Sequence, residues 1–233
     1  MKILFCTAGF PHAIVVLRKY LSKEHELLVR DESIPLIEQV KDVEVLIPAM
    51  AKITREIMLA APKLKLIQQF GVGLEGVDIK AAKELGIYVA NVPGANAISV
   101  AEHALFLMLA LARMYNHALK AFHNRRLGEP AGYELYGKVL GIIGLGRSGI
   151  ELAKRAKALG MRVMAIKRRP DPKLAEELGL EFIGGIKDLD IVLREADFIS
   201  IHVPLTEETR GLIGERELRL MKKTAFLINT ARG

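Results

Sequence analysis

The 233-residue sequence has no tryptophan, a single cysteine and only 6% aromatic residues. Each scarcity closes off a class of protein. Proteins that bind single-stranded nucleic acid stack bases on aromatic side chains set among basic ones, and no such interleaved stripe occurs here. The net charge of +7 comes from 34 Lys and Arg against 27 Asp and Glu, spread along the chain rather than gathered in a tail. An anionic small molecule suits that charge as well as a polynucleotide does, so no nucleic-acid partner is expected. Cys6 alone cannot close an internal disulfide; at the end of the apolar run from Ile3 it reads as a buried structural thiol.

The longest apolar helical stretch, Ala104 to Ala112, is far short of the ~20 residues that span a bilayer. Met1-Lys2 leads directly into a short strand pattern and on to Pro11, without the charged and then apolar pattern of a secretory leader. A cytoplasmic protein with neither a membrane partner nor a metal site is the expectation.

What the sequence does have is alternation. Strand-like runs KILFC, ELLV, VEVLI, LKLIQQF and IYVA are separated by helical patterns at Ile14 to Leu21, Ile34 to Val40, Thr54 to Ala60 and Ile79 to Leu85. This predicts a parallel sheet with helices on both faces. The breaker cluster NVPGAN, Asn91 to Asn96, suits a domain crossing. Ser99 and Glu102 have capping-box spacing and predict a helix start there. The following helix, with Ala104 to Met108 apolar nearly all round, is expected to be buried, between domains or subunits, and His103 on it to be a packed, hydrogen-bonded histidine. A second strand and helix series then runs from Val139 through RVMAI, DLDIVLREA, DFISIHV, a helix around Glu215 to Met221, and AFLIN. Two α/β domains are therefore predicted, 1–95 and 96–233, each a doubly wound parallel sheet.

The most specific local signal is Gly144, Gly146 and Gly149, a GxGxxG pattern between the apolar strand Val139 to Ile143 and a helix with apolar Ile150, Ala153 and Ala156. In that context the first glycine permits a tight turn, the second lets a pyrophosphate approach the backbone, and the third lets helix and strand pack closely. The helix N-terminus offers free N–H groups and the positive end of its dipole to the phosphates. An NAD site normally places an acid at the end of the next strand, ~20 residues on. That place reads AIKRRP, and Lys167, Arg168 and Arg169 suit the 2′-phosphate of NADP; the alternative is a solvated charged turn before Pro170.

With GVGLEGVD (Gly71 to Asp78), NVPGANAISVAEH (Asn91 to His103), GLGRSG (Gly144 to Gly149), HVPLTEETRGLI (His202 to Ile213) and NTARG (Asn229 to Gly233) in this order, the chain resembles the D-isomer-specific 2-hydroxyacid dehydrogenases. The resemblance implies a flavodoxin-like substrate domain followed by an NAD(P)-binding Rossmann domain, with the active site in the cleft between them. It also implies hydride transfer between a nicotinamide cofactor, NADP or alternatively NAD, and a small 2-oxo or 2-hydroxy acid such as glyoxylate or hydroxypyruvate. Val72 and Gly73 would bind the substrate carboxylate through backbone N–H groups, with Asn96 near the substrate. Arg147 and Ser148 would join the three glycines at the cofactor. His202, Val203, Pro204 and Thr209 would line its pocket, and Thr230 and Ala231 would lie near the nicotinamide end. Arg232 matches the catalytic arginine, whose planar guanidinium can hold two oxygens and stabilise charge developing on a carbonyl.

The family's proton-donating histidine and its orienting glutamate lie beyond NTARG, and neither is in the sequence. His12, His25, His117 and His123 fall outside the matched motifs. The expectation is a fragment of a longer dehydrogenase, incomplete at its C-terminal end, that binds dinucleotide but shows little or no reduction of 2-oxo acids; the alternative is a non-catalytic dinucleotide-binding regulatory or interaction module. Association through the cofactor domain as a homodimer is also expected, since an apolar strand AFLIN at a sheet edge recruits other chains.

Overall fold

The computed structural model describes residues 1–232; Gly233, the last residue of NTARG, lies outside the described residues. The chain divides into two compact units, Met1–Ala95 and Asn96–Gly233.

In the first unit five strands, β1 (Lys2–Phe5), β2 (Glu26–Val29), β3 (Val45–Ile47), β4 (Leu66–Gln68) and β5 (Tyr88–Ala90), alternate with helices α1 (Pro11–Tyr20), α2 (Leu36–Gln39), α3 (Arg55–Leu59) and α4 (Ile79–Glu84). Every strand pair is parallel, in the order β2-β1-β3-β4-β5. This is the flavodoxin-like order, with its switch point between β1 and β3. Successive residues of a strand face opposite sides. Ile3, Phe5, Val45 and Ile47 therefore pack in one core, and Leu4, Cys6, Leu46 and Ile67 in the other. Burial on both faces explains why these strands read as continuous apolar runs. Cys6 is fully buried, and burial pushes its thiol up to about 12. Local signals set the helix starts: Pro11 opens α1, and the Asp78 carboxylate accepts the Ala81 N–H at 2.9 Å to cap α4.

The second unit begins with α5 (Ala97–Ala112) and α6 (Tyr115–His123). Five parallel strands follow, β6 (Val139–Ile143), β7 (Arg162–Ile166), β8 (Phe182–Gly184), β9 (Phe198–Ile201) and β10 (Phe226–Asn229), in the order β10-β9-β6-β7-β8. They are joined by α7 (Arg147–Ala158), α8 (Pro172–Glu177), α9 (Leu189–Glu195) and α10 (Glu215–Leu220). This is the Rossmann order, which reverses at the central strand β6. All five residues of β6 are buried. The helix α5 presents Ala97, Ala101, Ala104, Met108 and Ala112 inward, and Ala101 to Ala112 share a core with Leu152, Ala153 and Ala156 of α7.

Three expectations are corrected here. First, Ser99 and Glu102 do not form a capping box: α5 starts at Ala97 after Asn96, so Ser99 already lies in its first turn. Burying the alanine stripe fixes that register, and Glu102 pairs instead with Arg155 at 3.5 Å. Second, within this chain α5 is buried along one stripe rather than all round; Phe106 is 56% exposed. Third, His103 is exposed and stacks on Phe106, ring centroids 6.1 Å apart, rather than packing in the core. The elements α6, α8 and β8 are short, at nine, six and three residues, and escape a reading by long apolar runs. Among the described residues no single helix is long and apolar enough to cross a membrane, and no cluster of potential metal ligands is found.

Candidate functional site

The second unit gathers its polar groups at the carboxyl ends of its strands, where open parallel sheets bind ligands. Gly144 follows β6, Lys167 follows β7, His202 follows β9, and Thr230 follows β10. The glycine turn shows why each position lacks a side chain. Gly144 has φ +103°, and a Cβ there would stand 2.8 Å from the carbonyl carbon and oxygen of His202. A Cβ on Gly149 would lie 2.6 Å from the Gly144 oxygen, so α7 could not pack so closely on β6. Gly146 is different: a Cβ would meet nothing within 4 Å. The protein itself leaves that space open, and it lies at the N-cap of α7, where the capping position is a glycine and has no side chain to cap the first turn. A helix start with a glycine at its N-cap, beside open space, suits a diphosphate.

A cleft of about 600 Å³ opens beside this turn, lined by Gly144, Leu145, Gly146, Lys167, Arg168, His202, Val203, Pro204, Thr206, Glu207, Glu208 and Thr209. Its volume is in the range of cofactor sites. Lys167 and Arg168 thus stand together on its rim, whereas Arg169, also exposed, is not among the lining residues. Lys167 Nζ donates to the Leu145 carbonyl at 3.2 Å, tying the end of β7 to the glycine turn.

His202 is held on both sides: its Nδ1 is 3.0 Å from Ser148 Oγ and its Nε2 is 2.9 Å from Ser200 Oγ. Burial pushes its pKa down to about 4, so the ring is neutral near pH 7. A neutral, doubly bonded imidazole is a wall of the cleft. Ser148 contributes through His202, and Arg147 is the first residue of α7. Thr209 Oγ1 accepts the Thr206 N–H at 2.9 Å and itself donates to the Pro204 carbonyl, folding the 204–209 segment into a tight loop.

A smaller pocket of about 270 Å³ adjoins the same strand ends, lined in part by Val203, Pro204, Thr209, Asn229, Ala231 and Arg232. Asn229 shapes the turn after β10, accepting the Ala231 N–H at 3.0 Å and donating to the Arg232 carbonyl at 2.8 Å. The Arg232 side chain is exposed and donates to the Ala231 carbonyl at 2.8 Å. Thr230 Oγ1 is buried without a hydrogen-bond partner among the described residues.

The remaining candidates lie apart in the chain. Asn96 is the exposed N-cap of α5. Val72 and Gly73 belong to the first unit, in the loop after β4, and their N–H groups donate to no acceptor among the described residues. Sequence reading missed Ser200, Thr206, Glu207 and Glu208. The T-E-E-T spacing was a usable signal for the threonine turn, but Ser200 carried none, because a serine in an apolar strand is common.

Comparison with known proteins agrees with this anatomy. Residues 105–233 match the family model for the D-isomer specific 2-hydroxyacid dehydrogenase NAD binding domain. A glyoxylate reductase from Thermococcus litoralis is 43% identical over 92% of this chain and 68% of its own length. A D-3-phosphoglycerate dehydrogenase from Methanocaldococcus jannaschii is 44% identical over 85% of this chain, which spans only 38% of that relative. The crystal structure of D-lactate dehydrogenase from Aquifex aeolicus complexed with NAD and lactic acid superposes on all of this chain and 69% of that one, with a TM-score of 0.87 and 30% identity. Sheet orders, glycine turn, family-model match and relatives converge, and the chain belongs to the D-isomer specific 2-hydroxyacid dehydrogenase family.

Proposed function

We propose that the chain forms the substrate- and dinucleotide-binding parts of an oxidoreductase that moves a hydride between a nicotinamide dinucleotide and a small 2-oxo or 2-hydroxy acid, with glyoxylate the first substrate to test. The observation that carries this reading is the open space over Gly146 at the start of α7, at the switch point of a Rossmann sheet. In it Gly144, Gly146, Gly149, Arg147 and Ser148 receive the diphosphate. His202, Val203, Pro204 and Thr209 wall the cleft, and Thr230 and Ala231 approach the nicotinamide end. Val72 and Gly73 hold the substrate carboxylate, Asn96 sits near it, and Arg232 binds the carbonyl and carboxylate oxygens. Bound there, the reduced dinucleotide would supply the hydride, and solvent would have to supply the proton of the new hydroxyl, since no histidine of the sequence is assigned that role.

NADP is the proposed cofactor, with NAD the weaker ligand. Lys167 and Arg168 on the cleft rim support that preference; Glu207 and Glu208 line the same cleft and temper it. We further place the protein in the cytoplasm as a homodimer formed through the cofactor domain, without nucleic-acid or membrane partners. Support for the dimer comes from the apolar surface of α5 and α6, where Phe106, Tyr115, Leu119 and Phe122 are 43% to 65% exposed. The regulatory-module reading draws no support from the relatives named above, which are dehydrogenases and a reductase.

Titration of NADPH into the purified chain, followed by addition of glyoxylate and measurement of reduced-nicotinamide absorbance, tests the reading. Saturable NADPH binding is expected, with little or no glyoxylate-dependent loss of absorbance, because the sequence holds no counterpart of the family's proton-donating histidine. Absence of dinucleotide binding would overturn it.

A further inference from the structure

The loop after β4 is held from behind. Gln69 is only 7% exposed, one of two buried polar residues among the described residues. Its Nε2 donates to the Gly73 carbonyl at 2.7 Å and to the Ala49 carbonyl at 3.2 Å, while its Oε1 accepts the Phe70 N–H at 2.8 Å. Reversing the amide would set an oxygen against two carbonyls and a nitrogen against an N–H, so the network fixes its orientation. The side chain therefore bridges both ends of the segment 70–73 and ties it to Ala49, a residue held at φ +52°. Two further donors act on the middle of the loop. The Val92 N–H donates to the Gly71 carbonyl at 3.0 Å, and Asn91 Nδ2 donates to the Val72 carbonyl at 2.7 Å.

In a trans peptide the C=O and the next residue's N–H point in opposite directions within one plane. Holding the carbonyls of Gly71, Val72 and Gly73 therefore orients the N–H groups of Val72, Gly73 and Leu74. All three N–H groups donate to nothing among the described residues. Three consecutive peptides thus have every acceptor taken and every donor free, an arrangement suited to an anion.

We propose that Gln69 and Asn91 are positioning residues for the substrate carboxylate, and that the Leu74 N–H is a third donor beside those of Val72 and Gly73. This rests on the reading that the loop binds a carboxylate. Without the amide clamps the peptide planes can turn, and binding must then supply the ordering that the fold now provides.

The test uses the isotope-labelled full chain saturated with NADPH and titrated with glyoxylate, following the backbone amides of Val72, Gly73 and Leu74 by NMR. In the wild type all three are expected to shift together and saturably. Asn91→Ala and Gln69→Met each remove clamp donors at similar or smaller side-chain volume. Each is expected to weaken glyoxylate binding roughly three- to tenfold, with NADPH affinity and the unfolding midpoint of Asn91→Ala unchanged. A merely structural role would lower the midpoint without that selective loss. If Gln69→Met fails to fold, the partly exposed Asn91 carries the test alone. Wild-type amides that stay unmoved at saturating glyoxylate overturn the carboxylate reading and the proposal with it. Amides that move, with variant affinities equal to wild type, overturn the positioning role while leaving the carboxylate reading intact.

Discussion

Gly144 and His202 are packed so closely that a single added methyl carbon on the glycine would stand 2.8 Å from the histidine's carbonyl carbon and oxygen. The contact joins the turn after β6 to the end of β9, the two strands whose ends form one wall of the cleft. Backbone meets backbone there, and neither side can swing away as a flexible side chain could.

Gly144 and Gly146 should consequently respond differently to the same substitution. Gly144→Ala adds a clash and forces alanine into φ +103°, and is expected to destabilise the second unit by about 2 to 4 kcal/mol. Gly146→Ala meets nothing within 4 Å and has φ −93°, so its stability should stay within about 0.5 kcal/mol of the parent. Its dinucleotide affinity should nevertheless fall at least roughly tenfold, because the methyl fills the space proposed for the diphosphate. Urea unfolding and fluorescence titration of both variants check this. Equal affinity for Gly146→Ala and the parent would count against the phosphate site.

His202 makes stability depend on pH. Its pKa is pushed down to about 4 by burial, below the ~6.5 of an unfolded histidine. Between those values the unfolded chain binds the extra proton, so the contribution is complete above pH ~6.5, shrinks as pH falls towards 4, and is absent below. The amount at stake is roughly 3 kcal/mol, from about 1.4 kcal/mol per pKa unit. Carboxylates titrate in the same window, so the informative quantity is the difference between the parent and His202→Gln. The parent should lose more unfolding free energy than the variant between pH 7.5 and pH 5. Parallel losses would mean that the ring is protonated in the folded state.

The basic cluster should act through one arginine. Arg168 lines the cleft and Arg169 does not, while Lys167 already donates to the Leu145 carbonyl. A charge-assisted hydrogen bond contributes about 1.5 to 3 kcal/mol, reduced here by exposure. NADPH should therefore bind roughly tenfold more tightly than NADH, and Arg168→Ala should remove most of that preference. Arg169→Ala should change it less than about twofold, and added salt should narrow the gap in the parent. Titrations of both cofactors at two ionic strengths decide the matter. A preference that survives Arg168→Ala would reduce the cluster to a solvated turn.

The fold was legible because most strands of the two sheets are apolar runs ended by a polar or glycine-rich turn, a pattern that parallel sheets buried on both faces impose on their central strands. The start of α5 was misread because Ser99 and Glu102 carry a local capping signal that competes with burial of Ala97 and Ala101, and burial wins. Within the cleft, sequence spacing located the glycine turn but could not separate Arg168 from Arg169, since the geometry of a turn decides which neighbouring side chain faces inward. The amide clamp of Gln69 and Asn91 was invisible for a related reason. Its partners are backbone carbonyls up to 20 residues away, and a carbonyl leaves no trace in the identity of its residue.

Arg232 provides the sharpest test of the proposed chemistry. It lines the smaller pocket beside Val203 and Ala231, and its backbone is fixed by Asn229 on both sides of the turn. A guanidinium can meet two substrate oxygens in one plane, whereas an ammonium keeps the charge but loses the fork. Arg232→Lys should therefore leave NADPH affinity within about twofold, yet lower kcat/KM for glyoxylate by roughly 10² to 10³, the range seen when one donor to a developing oxyanion is removed. Arg232→Ala should lower it further, because charge and geometry are then both lost. Residual NADPH oxidation with glyoxylate, followed at high protein concentration, gives the first readout. Calorimetric binding of oxalate in the presence of NADPH gives a second that needs no turnover, and it should weaken in the same order from parent to Lys to Ala. A lysine variant that matches the parent in both measurements would show that Arg232 supplies only charge. An alanine variant that does so would remove it from the site.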